Sequence, residues 1–260
     1  METLSRRQNT ILCGVVETHI ETSQPVGSRL IAEKYAFSFS PATIRNEMGS
    51  LEERGYLTHP HTSSGRVPTD RGYRYYLDHT PFEQVLPQEY FEKLTEELSF
   101  SAEETRTGQF GDRVSSFLSS MSQEVSLTLL PFPRPLSSEK EEGLKISLQG
   151  LTHILEKPEF QDVRKIKMLL QAFEEKGTLT RWVLKNASTD HVSVSVGHEH
   201  AYEALEDCAI VTACYAVGKN RQGAIAILGP KRMSYRQVIP LVSRMARVVG
   251  TLIESVDLEG

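Results

Sequence analysis

Ser40-Pro41-Ala42-Thr43-Ile44-Arg45-Asn46-Glu47-Met48-Gly49-Ser50-Leu51, followed by Glu52-Glu53-Arg54-Gly55, is the stretch on which the fold of this chain turns. Ser40 is a suitable N-cap, and Pro41 fits the first helical position, where a missing amide costs nothing. Ile44, Met48 and Leu51 follow at i, i+4 and i+7, which predicts one inward helical face. Gly55 fits the residue just past the helix end. At 100° per residue the outward face carries Ala42, Asn46, Gly49 and Ser50, with Thr43 and Arg45 on its flanks.

Two helices are predicted upstream. Ser5 and Gln8 have the spacing of a capping box, and Ile11, Leu12, Val15, Val16 and Ile20 form an apolar stripe behind them. Thr22 to Gly27 breaks that helix, and Ser28 can cap a short second one carrying Leu30, Ile31 and Tyr35. Downstream, Tyr56 to Pro68 reads as two short extended segments around a turn-rich tip, and Thr69 to Leu77 resumes a helical pattern. Three helices, a hairpin and a further helix make the layout of a winged helix-turn-helix.

In that motif the exposed N-terminal residues of the second motif helix meet base edges in the major groove. Asn46 can pair with adenine, Arg45 with guanine or phosphate, and Thr43 or Ala42 can touch a thymine methyl; Ser50 shares the face. An Arg45 that merely balances Glu47 or Glu52 is the competing reading. At the wing, His61, Thr62, Ser63, Ser64, Gly65 and Arg66 supply hydroxyls, amides and a guanidinium suited to phosphate or the minor groove. Arg71 and Arg74 either add phosphate contacts or pack beneath the wing. His59-Pro60-His61 lacks a third ligand nearby, so no metal is expected there.

The net charge of −5 does not announce a nucleic-acid binder, and residues 1–80 are neutral, with nine basic and nine acidic side chains. Any DNA-binding face must therefore come from local segregation of charge. Cys13, Cys208 and Cys214 are too scattered for a disulfide framework and sit among apolar neighbours. No apolar run approaches the roughly 20 residues of a membrane span and no signal-peptide core is present, so a cytoplasmic protein is expected. No glycine-rich phosphate loop, metal-ligand cluster or nucleophile–base pairing stands out, so no cofactor and no enzymatic activity are expected.

The fold class expected is α+β. Residues 1–80 form the winged helix-turn-helix, 81–135 a linker and helical region, and 136–260 a regulatory and dimerisation domain. A polar stretch from Gln88 to Ser122 carries apolar residues at helical spacing, and Pro131, Pro133 and Pro135 with the charged run to Glu142 read as a loop. A helix carries Val163, Ile166, Leu169, Leu170 and Phe173. Strands are expected at 192–197, 209–217 and 224–228, and a last helix from Tyr235 to about Ile253.

Four N-terminal segments closely resemble the heat-inducible transcription repressor HrcA family: Gln24 to Arg29, Ser40 to Met48, Leu51 to Leu57 and His61 to Arg74. Pro158 to Val163, Val196-Gly197-His198-Glu199 and Leu228 to Tyr235 resemble that family's second half. The resemblance implies a repressor that dimerises on an inverted-repeat operator upstream of chaperone genes and is released on heat stress. It also implies a GAF-like second domain, an inserted dimerisation domain and a GroEL-type chaperonin as partner. The base-reading roles carry over to Thr43, Arg45 and Asn46, and the wing roles to His61 through Arg66. Family members are usually longer, and here the span from Leu130 to Glu159 is compressed, so the GAF-like α/β domain reads as reduced, with incomplete strand content. The alternative is a winged-helix regulator whose C-terminal domain senses a small ligand.

Overall fold

The computed structural model describes residues 4–35, 39–61, 64–82, 109–133, 145–186, 188, 191–200, 202–218 and 221–258. Thr62 and Ser63 of the wing tip, and the helical pattern expected between residues 88 and 108, lie outside them. The chain divides into two compact units: Met1–Pro81 with Val196–His198 and Lys231–Ser234, and Phe82–Ser195 with Glu199–Pro230 and Tyr235–Gly260.

Unit 1 contains α1 (Arg6–Thr22), α2 (Ser28–Tyr35), α3 (Pro41–Glu53), β1 (Leu57–Thr58), β2 (Val67–Pro68) and α4 (Asp70–His79). Each helix start follows from its sequence. The Ser5–Gln8 capping box opens α1, Ser40 with Pro41 opens α3, and Thr69 caps α4 by accepting from the Gly72 amide. Ile11, Leu12, Val15 and Val16 of α1, Ile31 of α2, and Ile44, Met48 and Leu51 of α3 supply the core, closed by Tyr73 and Tyr76 of α4. Leu30 of α2 instead faces solvent. The break after α1 has a second role: Val26 forms an antiparallel bridge with Arg66, exchanging backbone bonds of 2.8 and 2.9 Å.

Unit 2 is built on a five-stranded sheet in the order β4-β3-β7-β6-β5. Its strands are β3 (Val125–Pro133), β4 (Ile146–Gln149), β5 (Ser193–Val196), β6 (Cys208–Val217) and β7 (Arg221–Pro230). The helices are α5 (Gln109–Ser122), α6 (Leu151–Leu155), α7 (Val163–Glu174), α8 (Lys176–Asn186) and α9 (Tyr235–Leu258). Side-chain alternation separates two layers. Val125, Leu127, Leu129, Cys208, Ile210, Ala224, Ala226 and Leu228 pack with Phe160, Leu169, Phe173, Leu179 and Trp182. On the opposite parity, Ser126 and Thr128 meet α5, where Ser115 Oγ lies 2.8 Å from Thr128 Oγ1 and 3.1 Å from the Ser147 carbonyl. These buried hydroxyls satisfy one another, which lets a polar-faced strand sit inside the unit.

Two expectations are corrected here. The stretch read as linker and proline loop contains β3, and the compressed span contains β4, so the sheet holds two strands that the incomplete strand content expected from the sequence omitted. The prolines mislead because β3 tolerates them: its register with β7 slips between Leu129 and Phe132, around Pro131, where a strand without an amide donor breaks the ladder. No helix of the described residues is long and apolar enough to cross a membrane.

Candidate nucleic-acid interface

The outward side of α3 is set by its start. Ser40 Oγ accepts from the Thr43 amide at 3.1 Å and lies 3.0 Å from Thr43 Oγ1, so the helix begins in a fixed frame and Thr43 is partly engaged by its own cap. From there Ile44, Met48 and Leu51 point inward, while Ala42, Arg45 and Asn46 are exposed. Glu47 and Glu52, the acids read from the sequence as competing partners of Arg45, are occupied elsewhere. Glu47 pairs with Arg7 at 3.2 Å, and Glu52 with Arg66 and His59. Among the described residues, Arg45 and Asn46 make no hydrogen bond or ion pair. Ser50 differs from them: its Oγ lies half-buried against α1 and accepts from Gln8 Nε2 at 3.3 Å.

The wing is held from two sides. Leu57 pairs with Pro68 and Thr58 with Val67 in the two-stranded ladder, and the Val26–Arg66 bridge adds a third chain. Gly65 is required where these chains meet, because a Cβ there would lie 2.6 Å from the carbonyl carbon and oxygen of Val26. Next to it, Ser64 Oγ donates to the His61 carbonyl at 2.6 Å and accepts from the His61 amide at 3.1 Å, closing a turn with His61 exposed.

Arg66 is not a free cation. Its Nε lies 2.7 Å from Glu52 Oε2, and His59 Nδ1 bonds the other oxygen of the same carboxylate. Partial burial pulls the Glu52 carboxyl up, but the His59 bond and the Arg66 charge outweigh it and hold the group below its usual range. Arg71 and Arg74 have similar commitments. Arg71 donates to the Arg54 carbonyl at 2.9 Å and lies over the Tyr56 ring at 4.4 Å, and Arg74 pairs with Asp78 at 3.3 Å.

Unit 1 also contains a charge cluster that no local pattern announces. Asp70, in the first turn of α4, accepts from Lys231 Nζ at 2.7 Å and from the His198 amide at 3.0 Å, and its carboxylate also meets His198 Nδ1. Burial would raise the Asp70 carboxyl, yet the bonds from Lys231 and His198 hold it below the usual carboxylate range. Gly197 (φ 55°) leaves this approach open, since a Cβ there would lie 2.1 Å from Asp70 Oδ2. Lys231 and His198 belong to segments that the sequence singles out, Leu228 to Tyr235 and Val196 to Glu199, but the partner is more than a hundred residues away in the chain.

Residues 82–239 match the family model described as the HrcA protein C terminal domain. A curated protein of Pelotomaculum thermopropionicum, the "Heat-inducible transcription repressor HrcA", is 29% identical over 97% of this chain and 98% of its own length. Its counterpart in Symbiobacterium thermophilum is 30% identical over 92% of this chain and 96% of its own. The first alignment is 342 residues long against a chain of 260, so the relative carries internal segments absent here. A crystal structure described as that of a hypothetical protein shares the fold with a TM-score of 0.74 at 20% identity, covering 97% of this chain and 98% of its own.

Proposed function

The chain belongs to the HrcA family of heat-inducible transcription repressors, and on that premise we propose that unit 1 is a winged helix-turn-helix reading double-stranded DNA through α3. The observation that carries this is the state of Arg45 and Asn46. They are exposed side by side, while Glu47 and Glu52 are paired with other cations. A side chain held bare in this way is suited to a base edge: asparagine to adenine, arginine to guanine or phosphate. Ala42 and Thr43 lie at the same end of the helix, within reach of a thymine methyl. His61, Ser64 and Gly65, with Thr62 and Ser63, are proposed to meet phosphate at the wing, and Arg66, Arg71 and Arg74 to support that contact from their packed positions.

One such unit reads one half-site, so the proposed binding form is a homodimer on an inverted repeat upstream of chaperone genes. Unit 2 is proposed as a GAF-like regulatory and dimerisation domain, with a GroEL-type chaperonin as a partner that keeps the repressor active. The proposed setting is the cytoplasm, and the role is binding rather than catalysis.

The test is to recover the genomic fragments that the full chain binds and then to heat the complexes across the growth range. Chaperone promoters bearing an inverted repeat, with release on heating, are expected. Unrelated promoters released by a metabolite would replace this reading with a ligand-sensing regulator. Sedimentation of a monomer at concentrations that saturate the fragments would remove the dimer.

A further inference from the structure

We propose that Glu52 is a positioning and specificity-determining residue: it fixes the wing against α3 and withholds the wing's positive charge from random phosphate. The inference rests on the DNA-binding reading above. Glu52 sits near the C-terminal end of α3, on the element assigned to base reading, yet both of its oxygens are committed to the wing. Oε2 holds Arg66 Nε at 2.7 Å and Oε1 holds His59 Nδ1. The two partners enter from opposite sides of the tip, His59 just after β1 and Arg66 just before β2. Both strand ends are thereby tied to the helix through one carboxylate. The backbone bridge to Val26 clamps Arg66 from a third direction.

An acid on a DNA-binding face repels phosphate, so its presence needs a reason. Non-specific binding is driven by cations that release counterions when they neutralise phosphates. An arginine already neutralised at 2.7 Å contributes little to that release. A phosphate can recruit Arg66 only by competing with Glu52, and that competition succeeds when α3 is seated and the duplex is held in register. Operator binding then loses little from the pairing while random binding loses much. Specificity is the difference between the two affinities, and a feature that selectively weakens the wrong complex raises it.

The test uses the full chain and two duplexes of equal length, an operator fragment recovered from genomic DNA and a random sequence, each titrated across salt concentrations. Glu52→Gln is expected to tighten random-DNA binding several-fold. It is also expected to steepen the slope of log affinity against log salt by up to about one and to lower the operator-to-random ratio. Glu52→Gln/Arg66→Gln removes both charges and is expected to return the random-DNA slope to the wild-type value. A residue that only braces the wing would give an unchanged slope and weaker binding to both duplexes, and that result overturns the proposal. If Glu52→Gln does not fold, Glu52→Ala is the second neutral variant, with the same expected slope. Wild-type protein that binds neither duplex would overturn the DNA-binding reading itself. Selective wild-type binding with an unmoved Glu52→Gln slope overturns only the role given to Glu52.

Discussion

The exposed face of α3 and the wing carry the same kind of side chain in opposite states. Arg45 has no ion pair among the described residues, whereas Arg66 is locked to Glu52 at 2.7 Å and bridged through its backbone to Val26. The difference comes from where the acids go. Glu47 is turned toward Arg7 and Glu52 toward the wing, so two of the helix's acids are committed to other cations and the wing receives one of them. A neutral N-terminal region can thus present an uncommitted cation at a helix surface without carrying excess positive charge. In the proposed DNA-binding role, what distinguishes a reading surface from a supporting one is the partner, not the residue type.

The comparison breaks most completely if the wing is detached. Gly65→Ala places a Cβ 2.6 Å from the Val26 backbone, atoms that have nowhere to yield. The expected loss of stability is about 3 kcal/mol, the upper end for overpacking, with DNA binding lost alongside; denaturant unfolding of the variant measures it. Next in size is Asn46→Ala. It removes an exposed, uncommitted side chain and leaves the fold alone, so operator affinity should fall by about 2 kcal/mol while the unfolding midpoint stays put. A shifted midpoint would mean that Asn46 supports the helix rather than reads DNA.

Asp70→Asn sharpens the comparison at a third place. It weakens the charged bonds from Lys231 and His198, and about 1 kcal/mol of stability is expected to go. Lys231→Met should then cost little more in that background, because the pair acts together; additive losses would contradict the coupling. The smallest effect is on pH. Asp70 and Glu52 both have carboxyls held below their unfolded range, so their contributions are fully present above that range and are lost as pH falls through the folded values, below about pH 4. The contribution of these two carboxyls to thermal unfolding should be flat in pH above about 5, and the acid limb should be shallower in Asp70→Asn.

Much of unit 1 is legible because its signals are local. Ser40 and Pro41 start α3, the Ile44–Met48–Leu51 spacing turns it, and Thr69 starts α4. The strands β5 and β7 are likewise visible as apolar alternation, and β6 as a nearly continuous apolar run. Strand β3 carries alternation in its first half, Val125-Ser126-Leu127-Thr128-Leu129, but Pro131 and Pro133 in its second half mask that signal, and the bulge that accommodates Pro131 has no sequence mark. The pairings that decide the chemistry are beyond local pattern altogether. Glu52 and Arg66 are separated by the end of α3, by β1 and by the tip beyond it, and Asp70 and Lys231 by most of the chain, so composition and spacing could place each charge but not its partner. For the same reason Ser50, outward by helical arithmetic, turns out to be spent on Gln8, since the angle alone does not say where α1 lies.

The most direct test of the central claim is the affinity of Arg45→Ala, in the full chain, for a recovered operator fragment and for a random duplex at one salt concentration. If α3 reads DNA through an uncommitted Arg45, operator affinity falls by about 1–3 kcal/mol while random affinity hardly moves, so the ratio collapses. Equal losses on both duplexes would show that Arg45 only meets phosphate, and no loss on either would show that DNA is not read at this face.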